Sequence, residues 1–358
     1  MPIQSKQWVL NGSGSLDSLK CQTVSIPALG QHDVLVKLKA VSLNYRDLAM
    51  ALGKYPRAQP PGVVPGSDGA GVVVDVGSGV TEFKLGDRIA TCFFQDGDTG
   101  RPNRKQPRIS LAGEADGVLR EYGIFPEHGL VNIPQHLDWR EASTLTCAGV
   151  TAWSCLHGDR PVAPGDYVLI QGTGGVSLFG LQFAIAAGAH VIATTSSADK
   201  VELLKSLGAQ HVVNYREEPN WGLKVRELTP GKVGCDIILD VGGPSNWAQS
   251  LQAVRTAGDI HLIGFLGGSP DDQDPKEPTP SFWDLRQRLC NLKSVAVGSR
   301  PQFEAMNKAI DTFKIRPVVD VARFDLDHAK DAYQYLIDAK HIGKIVIDIV
   351  DAGYDVKL

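Results

Sequence analysis

The segment that begins near Ala163 constrains the fold of this chain more than any other feature. Strand-like runs at residues 167–171, 190–194 and 211–214 are separated by helical patterns. This alternation specifies a parallel sheet with right-handed crossover connections. Further apolar strands follow, so we expect a doubly wound sheet of six strands. The remaining three are expected at residues 236–241, 259–263 and 294–297.

The preceding part of the chain has a different pattern. Between residues 8 and 133, strand and turn signals dominate, as at residues 34–38 and 71–76, and they indicate a β-rich region. A polar, unpatterned stretch at residues 95–116 has the length of loops that serve or cover a site. Near the C-terminus, a strand-like run at residues 344–349 follows a helical pattern, and we assign it to the same β-rich region.

These patterns predict an α/β protein of two domains. A β-rich catalytic domain comprises residues 1–148 and 301–358, and a doubly wound parallel domain comprises residues 149–300. The chain is therefore expected to leave its first domain and to return to it.

The charge balance excludes some classes of partner. With 36 basic and 40 acidic residues the net charge is −4, which gives no electrostatic footprint for nucleic acid or an anionic membrane. No apolar run approaches the ~18 residues of a membrane span. The six cysteines show no Cys-x-x-Cys pair and no metal-ligand spacing. We expect a cytoplasmic protein with reduced thiols.

A glycine-rich turn connects the first strand of the parallel domain to its helix. Backbone N–H groups in such a turn can approach a pyrophosphate, which then lies at the positive end of the helix. The turn therefore predicts a dinucleotide site, and its residues are Gly172, Thr173, Gly174, Gly175 and Val176.

The end of the next strand bears on the choice of dinucleotide. Enzymes that use NAD normally carry Asp or Glu there to bind the ribose hydroxyls. This chain has Thr195, Ser196 and Ser197, and Lys200 follows Asp199. Hydroxyls and an ammonium suit a 2′-phosphate, so the sequence favours NADPH over NADH. The alternative for Lys200 is a solvated cation in the first turn of a helix, where the helix dipole disfavours it.

Several separated motifs together resemble the medium-chain dehydrogenase/reductase superfamily over essentially the full length. They are Gly66-Ser67-Asp68-Gly69-Ala70-Gly71, Gly86-Asp87-Arg88-Ile89, the glycine turn itself and Gly343-Lys344-Ile345-Val346-Ile347. The resemblance implies a GroES-like catalytic domain, interrupted by a Rossmann domain, with the active site in the cleft between them.

The same resemblance bears on zinc. Zinc alcohol dehydrogenases carry Cys where this chain has Asn44 and His where it has Ser67, whereas Cys147 and Asp68 match a ligand and an acidic neighbour. Zinc in a catalytic site needs three protein ligands of thiolate, imidazole or carboxylate type. Residues 95–116, which correspond to the structural-zinc lobe, contain no cysteine. We therefore expect no metal.

The chain is most similar to the zinc-free quinone oxidoreductases and enoyl reductases. The run from Ser42 to Pro56 is close to that of enoyl reductase domains, and Tyr55 matches the tyrosine proposed there as proton donor. Asn44 and the Thr151 hydroxyl would position the amide, ribose or carbonyl. The resemblance also implies cofactor contacts for Tyr215 at the 2′-phosphate and for Gly264, Phe265, Leu266, Gly298, Ser299 and Arg300. A core tyrosine at 215 and a surface arginine at 300 remain the alternatives.

Our leading hypothesis is an NADPH-dependent, metal-free oxidoreductase that transfers hydride to a quinone or an α,β-unsaturated carbonyl. A metal-free aldehyde or ketone reductase is the first alternative, and an inactive cofactor-binding protein is the second. The expected partners are a small-molecule substrate and a second copy of the chain in a homodimer, with no nucleic acid and no membrane.

Overall fold

The chain folds into two compact units in the computed structural model. Unit 1 consists of Met1–Val150 and Ser299–Leu358, and unit 2 consists of Thr151–Gly298. The boundaries expected from sequence differ from these by two residues each. The structure describes residues 3–97, 108–264 and 280–349.

The described residues form the following strands and helices, given in chain order. The strands are β1 (Gln4–Leu10), β2 (Leu19–Ser25), β3 (Asp33–Ser42), β4 (Asp68–Val76), β5 (Arg88–Thr91), β6 (Tyr122–Pro126), β7 (Leu130–Asn132), β8 (Tyr167–Gln171), β9 (His190–Thr195), β10 (His211–Asn214), β11 (Cys235–Asp240), β12 (Val254–Leu262), β13 (Asn291–Ser294), β14 (Phe324–Asp325) and β15 (Val346–Asp348). The α-helices are α1 (Tyr45–Ala51), α2 (Trp139–Ser143), α3 (Val150–Leu156), α4 (Gly175–Ala186), α5 (Val201–Ser206), α6 (Trp221–Glu227), α7 (Trp247–Ala253), α8 (Phe282–Arg288), α9 (Arg300–Phe313) and α10 (Ala329–Ile337).

Unit 1 is built on a mostly antiparallel sheet in the order β14-β15-β3-β4-β5-β7, with β6 also paired to β3, and on a β1-β2 hairpin. The central strand β3 alternates buried Val36 and Leu38 with half-buried Lys37 and Lys39, which gives the strand one apolar face. Strand β15 pairs with β3 and thereby returns the C-terminal segment to this sheet.

Unit 2 is a six-stranded parallel sheet in the order β10-β9-β8-β11-β12-β13. In the central strand β8, Val168, Leu169 and Ile170 are all fully buried, as expected for a parallel strand covered on both faces. The expected α/β class and the doubly wound parallel sheet are therefore confirmed.

One strand was placed wrongly from sequence. We expected the sixth strand at residues 294–297, but β13 ends at Ser294. Its register pairs Asn291 with Asp259 and Ser294 with Leu262, and beyond it Val297 has a φ of 58°, which is not extended backbone. Because β13 lies at the sheet edge, it is polar and partly exposed, and it lacks the apolar run that marks a central strand.

No helix in the described ranges is long and apolar enough to cross a membrane.

Candidate functional site

The glycine turn of unit 2 begins where β8 ends. Gly172 has a φ of 78°, a conformation that favours glycine, and its N–H donates to Thr194 O at 2.8 Å. Gly174 is the residue before α4, and no side chain caps this helix start. A Cβ placed at Gly172 or Gly174 would meet no heavy atom within 4 Å, so both positions face open space. The first N–H groups of a helix lack intrahelical partners, so this turn fits a pyrophosphate.

A polar network behind the turn holds it against the neighbouring loops. Gln171 donates through Nε2 to Ser250 Oγ at 2.8 Å and accepts through Oε1 from Asn246 Nδ2 at 3.0 Å. Ser250 in turn donates to Asp240 Oδ2 at 2.7 Å, and Gly243 N–H donates to Asp240 Oδ1 at 2.9 Å. Burial raises the pKa of the Asp240 carboxyl. The ends of β8 and β11 are therefore tied together by side chains to which the sequence analysis gave no role.

The ribose end of the expected site lies at the ends of β9 and β10. Asn214 pairs with Thr195, and Tyr215 N–H donates to Thr195 O at 3.0 Å, so Tyr215 and Ser196 follow directly from adjacent strand ends. Tyr215 is 41 % exposed, which excludes a core role for its ring. Lys200 is half-buried in the turn just before α5. The structure thus places these three residues beyond the ends of two adjacent strands, on one side of the sheet.

The other expected cofactor residues are spread over both units. Gly264 follows β12, and its N–H donates to Asp240 O at 3.4 Å. Phe265 and Leu266 lie outside the described residues. Thr151 is 3 % exposed within α3, and Gly298 is the last residue of unit 2.

The side chains of Ser299 and Arg300 have other partners in unit 1. Ser299 caps α9, accepting the Gln302 N–H at 3.4 Å. The Arg300 guanidinium lies 2.5 Å from Glu82 Oε2 and 3.1 Å from Glu304 Oε1. The hydrogen bond to Glu82 raises the pKa of Arg300. A role for Arg300 toward a cofactor remains a prediction, and it would require the guanidinium to leave these carboxylates.

In unit 1, the residues at the metal-ligand positions lie together around a buried lysine. Lys344 donates through Nζ to Asn44 Oδ1 at 2.5 Å and to Leu43 O at 2.6 Å, and its Nζ is 3.7 Å from Asp68 Oδ2. Lys344 is 4 % exposed and Asp68 is fully buried. Asn44 Nδ2 donates to Ser67 Oγ at a long 3.5 Å.

The buried carboxylate of Asp68 connects this cluster to the third metal-ligand position. Its Oδ1 accepts from Ser67 Oγ at 2.6 Å, and its Oδ2 accepts from Cys147 N–H at 3.1 Å. Burial, together with the smaller effect of the negative charge of Asp68, raises the pKa of the Cys147 thiol to about 12. A metal ion at Cys147 would have to displace the thiol proton, because the thiolate is the form that binds metals.

Tyr55 lies beyond the C-terminal end of α1, half-buried against the core of unit 1. The guanidinium carbon of Arg46 is 5.4 Å from the centre of its ring and 4.6 Å from that of Phe93. Arg46 is itself held by Leu111 O, which accepts from Nη1 at 2.8 Å. A fixed cation over the ring holds Tyr55 in place.

Asp47 is a buried acid that the sequence analysis did not consider. Its Oδ2 accepts the backbone N–H of Asn44 at 2.8 Å, so it fixes the start of α1. Burial raises the pKa of the Asp47 carboxyl to about 6. Asp47 and Lys344, which both contact Asn44, were therefore missed from the sequence. The signal for Lys344 was a charge directly before the apolar run Ile345-Val346-Ile347.

Comparisons with known proteins agree with this architecture. The family model described as "Alcohol dehydrogenase GroES-like domain" matches residues 30–135, and the one described as "Zinc-binding dehydrogenase" matches residues 175–312. The chain is 41 % identical over 336 residues to zinc-type alcohol dehydrogenase-like protein C1773.06c of Schizosaccharomyces pombe, covering 93 % of this chain and 96 % of that protein.

Two further proteins are similar over nearly the whole chain. A 2-methylene-furan-3-one reductase of Solanum lycopersicum is 31 % identical, covering 97 % of this chain and 80 % of that protein. A crystal structure described as an alcohol dehydrogenase from Sinorhizobium meliloti 1021 has a TM-score of 0.88 at 38 % identity, covering 98 % of this chain and 100 % of that one.

The family description implies zinc, but the residues present do not fit it. Asn44 and Ser67 offer an amide and a hydroxyl, so Cys147 is the one thiol among the three positions, and the Lys344 ammonium bonds directly to the Asn44 side chain. Within residues 3–97, 108–264 and 280–349, no group of three or more His, Cys, Asp or Glu side chains could hold a metal ion.

The matched domains and the relative at 41 % identity together establish the family. This chain belongs to the medium-chain dehydrogenase/reductase superfamily of NAD(P)-dependent oxidoreductases, among its zinc-type alcohol dehydrogenase-like proteins.

Proposed function

We propose that this protein is an NADPH-dependent, metal-free reductase that transfers hydride to a quinone or an α,β-unsaturated carbonyl. One observation carries the proposal: the metal-ligand positions hold an amide, a hydroxyl and a single thiol around the Lys344 ammonium, while the glycine turn of unit 2 is intact. These features support a chain that binds a dinucleotide and reacts without zinc.

NADPH is the proposed cofactor because of the side chains beyond the end of β9. Ser196, Lys200 and Tyr215 offer two hydroxyls and an ammonium at one end of the sheet, and the first acid after β9 is the exposed Asp199. A 2′-phosphate is a dianion, so these donors attract it, whereas the carboxylate typical of NAD enzymes would repel it. When bound, the cofactor supplies hydride.

The residues of unit 1 are proposed to act on the substrate. Hydride addition to the β-carbon of an enone leaves negative charge on the carbonyl oxygen, and a neutral N–H donor such as Asn44 Nδ2 can stabilise it. The resulting enolate needs one proton, and the Tyr55 phenol is proposed to donate it. The name of the Solanum relative, a reductase of a methylene-furanone, supports an activated alkene as substrate class.

Reduction of aldehydes or ketones is the second candidate, favoured by the description of the Sinorhizobium structure as an alcohol dehydrogenase. It would use the same donors, with the proton delivered to oxygen instead of carbon.

Two further parts of the proposal are a cytoplasmic location, in line with six cysteines that form no disulfide, and a homodimer.

The homodimer is proposed to use the open edge of the parallel sheet. Among the described residues, β13 is the last strand of the sheet on that side, and its outer N–H and C=O groups pair with no further strand of this part of the chain. Next to it in sequence, Phe282 and Trp283 of α8 are 90 % and 63 % exposed, and Leu289 is 61 % exposed. Light scattering should give twice the chain mass for the wild type and a monomer for Trp283→Lys; a wild-type monomer would reject the dimer.

The function itself is tested by NADPH oxidation. The purified protein is mixed with NADPH and one of three compounds: a small quinone, an enone or an aldehyde. We expect turnover with the quinone or the enone. Turnover with the aldehyde alone would instead establish the second candidate, and NADPH binding without any turnover would indicate an inactive cofactor-binding protein.

A further inference from the structure

Lys344 bonds to the one side chain of unit 1 that we propose as a donor to substrate oxygen. Its Nζ contacts Asn44 Oδ1 at 2.5 Å and Leu43 O at 2.6 Å, and with 4 % exposure the ammonium is shielded from solvent. Lys344 is 300 residues away from Asn44 in sequence. It reaches Asn44 because strand β15 pairs with β3, where Val346 lies opposite Ser42.

The chemistry of lysine fixes which way the Asn44 amide faces. An ammonium has three N–H donors and no acceptor, so the amide oxygen must face it. The amide nitrogen then points away, with Ser67 Oγ at 3.5 Å as its acceptor within the described part of the chain. Since a hydrogen bond of that length is weak, Nδ2 retains the capacity to donate to a substrate oxygen. Asn44 is also partly exposed, in contrast to Leu43.

Asp68 supplies the negative charge that lies opposite the Lys344 ammonium. Its carboxylate is 3.7 Å from Lys344 Nζ and is bound by Ser67 Oγ and Cys147 N–H, so it cannot turn away. Removal of either partner of such a buried ion pair alone is strongly destabilising, because it leaves the other charge buried without a partner. The residues at the zinc-ligand positions thus lie around the Lys344 ammonium, which these contacts hold in place.

We propose that Lys344 is a positioning residue for the reaction: its ammonium orients and polarises the Asn44 amide so that Nδ2 is presented as the donor to the substrate oxygen. The inference rests on the proposed function, because it gives Asn44 the role assigned there. Lys344 acts through Asn44 and does not itself contact substrate. Loss of the ammonium should therefore matter only while Asn44 is present.

A double-mutant cycle tests this dependence. The charge-free pair Lys344→Met with Asp68→Asn removes both buried charges together, so that neither is left unpaired. We expect the pair to lower kcat on the preferred substrate by roughly tenfold, with the Kd for NADPH unchanged; loss of a whole oxyanion donor costs ~10²–10³. In the Asn44→Ala background, the same pair should cause no further loss. The proposal would be overturned if the pair lowered kcat in the Asn44→Ala background by the same factor as in the wild type. It would also be overturned if the pair left the wild-type kcat unchanged.

Two further variants separate positioning from folding. Asn44→Asp keeps an oxygen toward Lys344 and adds a favourable charge pair, but it has no N–H, so it should fold and still lose at least about tenfold in kcat. Retained kcat would contradict the donor role even if the charge-free pair did not fold. Arg140→Met with Asp348→Asn removes another partly buried ion pair, between α2 and the strand β15 that follows Lys344, and should leave kcat unchanged.

A spectroscopic readout is independent of activity. In protein labelled with 15N-asparagine, the Asn44 side-chain NH2 signals are identified by their absence in Asn44→Ala. They should shift in the charge-free pair; if they do not, Lys344 does not orient the amide. Inactivity of the wild type on every compound would reject the proposed function, whereas unchanged NH2 signals would reject this inference.

Discussion

The proposed sites of the two units differ in the groups that form them: backbone groups in unit 2 and side chains in unit 1. The glycine turn of unit 2 consists of backbone N–H groups at a helix start, with open space above Gly172 and Gly174. The Lys344 cluster of unit 1 consists of buried charged side chains, which reach one another from widely separated segments. One site depends on the absence of side chains, and the other depends on which side chains are present.

If the proposed metal-free function holds, this difference explains how members of the family can share a fold without sharing a metal. The glycine turn depends on its backbone conformation and on the open space above it, so few side chains could replace glycine there without blocking the proposed cofactor site. The metal-ligand positions are side chains, and a few substitutions, here Asn44 and Ser67, remove the thiolate and imidazole that zinc needs. On this proposal, the side chains of unit 1 determine whether zinc takes part in the reaction of this chain.

The strongest expected effect comes from filling the space above the glycine turn. Gly174 has a φ of −77°, which any residue adopts, so Gly174→Val should leave the fold intact while its side chain enters the space proposed for the pyrophosphate. We expect the Kd for NADPH to rise by about 10³-fold, on the order of 4 kcal/mol, as measured by fluorescence titration. Ala187→Val, at the other end of the same helix, is the control. Unchanged affinity in Gly174→Val would remove the turn from the cofactor site.

The next effect concerns the proton donor of unit 1. Tyr55→Phe removes the hydroxyl and keeps the ring packed against Arg46. We expect kcat on an enone to fall by about 10²-fold, the lower end for a positioned general acid, and less on a quinone, whose oxyanion is protonated readily by solvent. Tyr45→Phe, with the exposed tyrosine of α1, should retain kcat. Full activity of Tyr55→Phe, with an isotope effect showing that hydride transfer limits the rate, would leave Tyr55 a packing residue.

Asp47 gives unit 1 a stability that depends on pH. Its folded-state pKa of about 6 lies above the ordinary value of ~3.9. The folded protein therefore binds the extra proton between those values, and stability falls as pH rises from about 4 to 6. A pKa rise of this size corresponds to at most about 3 kcal/mol.

Asp47→Asn cannot ionise and keeps an acceptor for Asn44 N–H, so its advantage over the wild type should grow across that pH window. Urea midpoints at several pH values measure it, with the exposed Asp75→Asn as the control. Parallel pH profiles for wild type and Asp47→Asn would contradict the raised pKa.

The smallest mutational effect is expected at the ribose end of unit 2. Lys200→Ala removes one charge-assisted contact to the proposed 2′-phosphate, worth ~1.5 kcal/mol or more, so the preference for NADPH over NADH should fall by about tenfold. Lys205→Ala, with a lysine that pairs with Glu202 on the same helix, should keep the preference. Isothermal titration with both cofactors decides the matter; a wild type without preference would defeat the assignment of NADPH.

The fold was largely predictable because its signals are local. Strand β8 was placed at its observed bounds, since a buried parallel strand is a short apolar run next to a glycine turn. The half-buried edge strand β10 was also placed at its observed bounds. Strand β13 was misplaced, because an edge strand with polar residues such as Asn291 and Lys293 has no such run. Its position is fixed by the register with β12, which the sequence does not show.

The site was predictable only in part, for the same reason. The glycine turn is continuous in sequence, so its residues could be read together. Asn44 could be identified by resemblance, but its contact with Lys344 depends on the pairing of β15 with β3. The raised pKa of Asp47 likewise depends on burial that results from the tertiary fold.

The most direct test of the central claim is the effect of metal removal on turnover. Protein purified without chelator is assayed for zinc and for NADPH-dependent reduction of its best enone or quinone, then treated with a strong chelator and assayed again. The account predicts far less than one zinc per chain and an unchanged kcat. About one zinc per chain, with activity lost on chelation and restored by added zinc, would contradict it.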